Sequence, residues 1–92
     1  MTVPVIASLD AAIRVYYESP ELNNDKIRQI FGEIKANRIA NMKRPVLEEM
    51  AIQKRKPFGL HTVNTEIAFK VWGLSIDDLE RRRAKLLKLG LL

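Results

Sequence analysis

The chain has 92 residues, 47% of them hydrophobic, with sixteen basic and eleven acidic side chains, a formal net charge of +5, one histidine and no cysteine. That length suits one domain with a single core that needs no covalent staples, and the composition excludes disulfides, thiolate metal sites and a cysteine nucleophile. No apolar run approaches the ~20 residues of a membrane span, and Met1–Ile6 lacks the positive flank of a secretion signal, so the expectation is a soluble, cytoplasmic protein.

The positive charge is unevenly placed. Residues 1 to 34 hold three basic and five acidic side chains, a net of −2, whereas residues 35 to 56 hold seven and two, a net of +5. Residues 57 to 92 hold six and four, a net of +2. A concentrated cationic face attracts phosphate backbones and releases their counterions. The plainer reading of such a face is a solvated surface that keeps the protein soluble.

In chain order, residues 1–7 read as a loose N-terminal arm. Ser8 then caps a helix in which Leu9, Ala12, Ile13, Tyr16 and Tyr17 recur at helical spacing and form core. Ser19-Pro20 ends that helix, because proline disfavours helical geometry in the residue before it. Asn23 or Asn24 caps the next helix, which stops at Gly32. A further helix runs from about Lys35 to Lys43. Pro45 lacks the amide proton that would reach the Asn41 carbonyl, so the helix must kink or end there. The favoured expectation is an end, with Pro45 opening a new helix that buries Val46, Leu47, Met50 and Ala51; one kinked helix from Lys35 to Gln53 is the alternative.

Lys54-Arg-Lys-Pro-Phe-Gly59 reads as a basic loop, and Leu60–Val63 is the one stretch with some strand character. Asn64 starts a helix with Ile67, Ala68, Val71 and Trp72 inward, and Gly73 closes it. The C-terminal helix, residues 75–89, carries the clearest local signals. Ser75 and Asp78 have capping-box spacing, Leu74 and Leu79 sit where a hydrophobic staple would clasp, and Gly90 follows the end. The fold class expected is all-α: a single helical domain over residues 1–92, a compact bundle of five to six helices.

One stretch points to function. Ile27, Ile30 and Phe31 face inward before Gly32, Ile34 plugs the corner, and Ile39 and Met42 follow at helical spacing. Over residues 24–44 this pattern resembles the helix-turn-helix motif of bacterial and phage DNA-binding proteins, including small regulators and excisionase-like proteins of mobile elements. It departs from that motif in two places: Glu33 lengthens the turn by one residue, and Arg28 stands where the motif prefers a small side chain. The resemblance implies that the second helix enters the major groove of duplex DNA.

On that helix Asn37, Arg38 and Asn41 face away from Ile39 and Met42. An asparagine amide can pair two-pronged with adenine and an arginine with guanine, so these three are the expected base contacts. Lys35, Lys43 and Arg44, joined by Lys54, Arg55 and Lys56 of the basic loop, are the expected phosphate contacts. With Phe58, the three loop cations read as a small wing touching DNA; the competing reading is an ordinary solvated helix face and a flexible, solvated loop.

Arg81, Arg82, Lys85 and Lys88 share an outer face of the last helix and read as solvation, or as a seat for a backbone or an acidic partner. Glu80 and Arg83 fall on the apolar face with Ile76, Leu79 and Leu87. There they form a local ion pair at the rim of the core or mark the seam of a homodimer through the C-terminal helix. His61 stands alone, with no second metal ligand or nucleophile near it in sequence. Neither a phosphate-cradling glycine loop nor a catalytic acid pair is legible, so no enzyme, cofactor or metal is expected. The function expected is sequence-specific binding of double-stranded DNA, as a small transcriptional regulator or recombination accessory protein; the alternative is a helical interaction or dimerisation module without nucleic acid.

Overall fold

Four helices begin on a polar side chain that captures an otherwise unpaired backbone amide. Ser8 Oγ accepts from Ala11 at 3.2 Å, Asn23 Oδ1 from Lys26 at 2.8 Å, Asn64 Oδ1 from Ile67 at 2.9 Å and Ser75 Oγ from Asp78 at 3.3 Å. Each such cap stabilises its helix by about 1 kcal/mol. In the computed structural model, which describes residues 3–92, these caps open α1 (Leu9–Glu18), α2 (Asn24–Phe31), α4 (Thr65–Val71) and α5 (Ile76–Lys88). The remaining helix, α3 (Ala36–Ile52), starts after Lys35 without a side-chain cap. Two short strands, β1 (Glu21–Leu22) and β2 (Val63–Asn64), pair antiparallel with Glu21 opposite Asn64 and Leu22 opposite Val63. The fold is mostly α-helical.

One apolar cluster joins all of these elements. Ala12 and Val15 of α1, Leu22 of β1, Ile27, Ile30 and Phe31 of α2 and Val63 of β2 are buried together with Ile39, Met42, Val46 and Met50 of α3. From the C-terminal side come Ile67, Ala68, Phe69, Trp72 and Leu79. Aromatic contacts join the layers: Phe31 meets Trp72 edge-on at a centroid distance of 5.5 Å, and Tyr16 meets Phe69 in a tilted pair at 4.9 Å. α2 packs mainly on α1, α3 mainly on α4, and α5 on α1, while α2 and α3 touch each other more sparingly. Thr65 ties α4 to the α1–β1 corner, its amide donating to Pro20 O at 3.1 Å and its buried hydroxyl to Ser19 O.

Gly32 has φ 86° and ψ −165°, a backbone conformation essentially reserved for glycine. A Cβ there would also lie 3.4 Å from that of Ala7. Ala7 is close because its amide donates to Ile30 O at 2.8 Å. The segment expected to be a loose arm over residues 1–7 is therefore docked from residue 3 onward, with Val3 and Ile6 packed against the core. Met1 and Thr2 lie outside the described residues.

Several expectations change. α3 does not end at Pro45 but runs through it, so five helices stand among the described residues and the single-helix alternative holds. The reason lies in packing: Val46 and Met50 continue the face of Ile39 and Met42, whereas Leu47 and Ala51, expected inside, point outward. Beside the ladder that Pro45 interrupts, the Trp72 indole donates to Met42 O at 3.0 Å, a bond that steadies the helix there. Strand character falls on Val63–Asn64 rather than Leu60–Val63. Tyr17 is exposed, not core; Val15 takes that place. The Tyr17 hydroxyl reaches Glu80, which raises the tyrosine pKa, chiefly through that hydrogen bond and then through desolvation. Arg83 pairs with Asp10 of α1, so Glu80 and Arg83 each clasp α1 instead of each other. Leu87, expected inward, is half exposed: α5 packs mainly on α1, and Leu79 is the residue of this helix that is buried in the core.

Candidate nucleic-acid interface

The helix α3 is held from behind along most of its length. Ile39, Met42, Val46 and Met50 recur at three- and four-residue spacing and all lie in the core. That spacing turns Asn37, Asn41, Arg44 and Glu48 to the opposite side, and Arg38 to its flank. Asn37, Arg38, Asn41 and Arg44 are exposed, as is Lys35 at the helix entrance. Arg44 Nη2 donates to Asn41 Oδ1 at 3.1 Å, which orders the two side chains on one turn and leaves the Asn41 amide donors outward. Glu48 follows on the same face, so the region inviting to an anion is the N-terminal half of α3.

The turn before α3 is fixed as well. Arg28 Nε donates to Ile34 O at 3.2 Å, so the side chain that departs from the small-residue pattern spans the corner instead of crowding it. Ile34 packs against the core from there.

Lys43 requires a correction. Expected among the phosphate contacts, its side chain is instead buried, with Nζ donating to Asn24 Oδ1 at 2.6 Å and His61 O at 2.5 Å. Burial lowers its pKa. No carboxylate accompanies it among the described residues, and its ammonium serves to tie α2 and the following loop to α3. The sequence carries the signal: Lys43 stands four residues after Ile39 and three before Val46, on the buried stripe.

Lys54, Arg55 and Lys56 are exposed in the loop after α3. This loop folds back beside the helix. Ala36, Ala40, Lys43 and Leu47 of α3 share a cleft of about 430 Å³ with Pro57 and His61. Base-contact and phosphate-contact residues expected from sequence thus lie on neighbouring elements. Ion pairs among the described residues join Arg81 to Asp78 and Arg83 to Asp10; none takes up Lys35, Arg38, Arg44 or the three loop cations.

A residue that the sequence did not single out organises the loop. The carboxylate of Glu21 in β1 accepts from Phe58 N at 2.6 Å, Gly59 N at 3.0 Å and Thr62 Oγ1 at 2.7 Å. Desolvation opposes the charge, yet these hydrogen bonds hold its carboxyl below the ordinary value. No local pattern foretells this clamp, since its partners lie about forty residues away.

Among the described residues no group of histidines and carboxylates is set to hold a metal ion, and no helix is long and apolar enough to cross a membrane. Fold and site together define a small, mostly α-helical protein that presents amides and unpaired cations on one braced helix and the loop beside it. Comparison with family models, with curated proteins and with solved structures finds no match to this chain.

Proposed function

We propose that this protein binds double-stranded DNA with sequence preference, as a small transcriptional regulator or recombination accessory protein. The N-terminal half of α3 enters the major groove, with Asn37, Arg38 and Asn41 at base edges and Lys35 and Arg44 on phosphates. Lys54, Arg55 and Lys56 add backbone contacts from the side. The observation that carries this reading is the exposed set Asn37, Arg38 and Asn41 on a helix whose reverse face is fixed in the core. Rigid presentation matters, because a base contact discriminates only when its register is fixed. The likeness of residues 24–44 to the helix-turn-helix of phage and mobile-element proteins supports the same docking.

Titration of the protein against mixed-sequence duplex at low and moderate salt tests the proposal. Salt-sensitive micromolar binding is expected. Arg38→Ala should then weaken binding to a preferred site and relax the choice at one base by about 1–3 kcal/mol. Absence of binding at low salt would overturn the reading.

A second reading draws on α5, whose end exposes Leu87, Leu89, Leu91 and Leu92. Such an apolar end suits pairing with a second copy, and a dimer would bring two reading helices to one site. Sedimentation of the wild type and of Leu87→Glu/Leu91→Glu tests this: a dimer that the variant dissolves supports it, and a monomer at all concentrations refutes it.

A further inference from the structure

The loop between α3 and β2 contributes nothing to the core, yet it is held in place. Every residue from Ala51 to His61 is exposed, and Phe58 and Leu60 are 95% and 89% exposed. A segment with no buried contacts is ordinarily the first to open. Here both oxygens of the Glu21 carboxylate engage it, one accepting from the Phe58 amide and the other from the Gly59 amide and the Thr62 hydroxyl. The β1–β2 ladder fixes the base from which Glu21 reaches. Lys54 and His61, at φ 57° and 61°, turn the chain at either end. A Cβ on Gly59 would come within 3.2 Å of Thr62, so the loop is closed tightly on its anchor. The net effect is an aromatic ring pinned in water beside three unpaired cations, with no gain to the fold from its burial.

We propose that this Glu21-clamped loop is a second DNA-contacting element, in which Lys54, Arg55 and Lys56 hold phosphates while Phe58 packs against the sugars and base edges of the adjoining minor groove. The inference rests on the reading of α3 given above and extends it. Two features favour duplex over other partners. Residues 51–64 set the cations Lys54, Arg55 and Lys56 beside the apolar Pro57, Phe58 and Leu60 and contain no carboxylate, a match to a polyanion that also has apolar sugar edges. The loop also runs beside the reading helix, sharing the cleft of Ala36, Ala40 and Pro57, so one ligand can touch both. Glu21 is a positioning residue: it meets no DNA itself but sets where Phe58 and the cations stand.

The test is a fluorescence-anisotropy titration of a labelled duplex across a salt series. Phe58→Ala, at a fully exposed position, should fold as wild type and lose affinity roughly tenfold with the salt slope unchanged. Replacing Lys54, Arg55 and Lys56 by alanine should flatten the slope by about 0.9 for each phosphate no longer neutralised. Glu21→Ala should lose affinity as Phe58→Ala does, and Glu21→Gln, which keeps an acceptor oxygen but no second one, should fall between. Binding by the wild type should also weaken as pH falls below the carboxylate range. Glu21→Gln should lack that step. If Phe58→Ala and Glu21→Ala both bind as wild type while Arg38→Ala is impaired, the loop inference is overturned and the reading of α3 stands. If the wild type binds phosphatidylserine vesicles and not duplex, both are overturned.

Discussion

α3 and α5 are both amphipathic, both of net positive charge and both rich in long side chains, yet the fold treats them differently. α3 buries Ile39, Met42, Lys43, Val46 and Met50, from its first turns to its last, whereas α5 buries Leu79 alone and leaves Leu87 half exposed. α5 is held instead by clasps around its middle, Glu80 with Tyr17 and Arg83 with Asp10. Composition cannot distinguish two such helices. What distinguishes them is whether an apolar stripe finds a partner along its whole length, and only a helix so seated presents a fixed outer face. That is why the reading of DNA is assigned to α3 rather than to the more cationic α5.

The sharpest way to break this comparison is to remove apolar groups from each helix. Ile39→Ala should cost about 2–5 kcal/mol in denaturant unfolding, because Ile39 is fully buried. Leu87→Ala, at 48% exposure, should cost well under about 1 kcal/mol. Similar losses in the two variants would mean that α5 is seated as firmly as α3. A smaller effect is expected at the turn that sets α3. Gly32→Ala forces a side chain into a glycine-only conformation and should destabilise by about 1–3 kcal/mol by thermal melting. A variant as stable as wild type would show that the turn is not constrained. Smallest of all, Asp10→Ala removes the partner of Arg83 on α5. Both side chains are about half exposed, so the change should be at most about 1 kcal/mol and should shrink further in salt.

Much of this architecture is written locally. Ser8, Asn23, Asn64 and Ser75 announce helix starts because capping needs only a residue and the amide three positions on. Gly32, Gly73 and Gly90 mark turns because their positive φ is a local need. The exposed set Asn37, Arg38 and Asn41 is legible from helical spacing, since Ile39 and Met42 fix the inward direction. Pro45 misleads because its penalty of about 3 kcal/mol in a helix interior is local, whereas the burial of Val46 and Met50 that offsets it depends on the rest of the fold. Lys43 and Glu21 are not legible as structural ties, because their partners stand eighteen or more residues away. Lys43→Met checks the revised placement of that lysine: the salt slope of DNA binding should stay as in wild type, since the buried ammonium meets no phosphate.

The central claim is that the outer face of α3 chooses sequence. It is tested most directly by selecting preferred duplexes from a random pool and measuring their affinity, relative to a scrambled duplex, for the wild type and for Asn37→Ala/Arg38→Ala/Asn41→Ala. The preference should collapse in the triple variant while the salt slope falls by no more than about one charge. A preference that survives the three substitutions undiminished would contradict it.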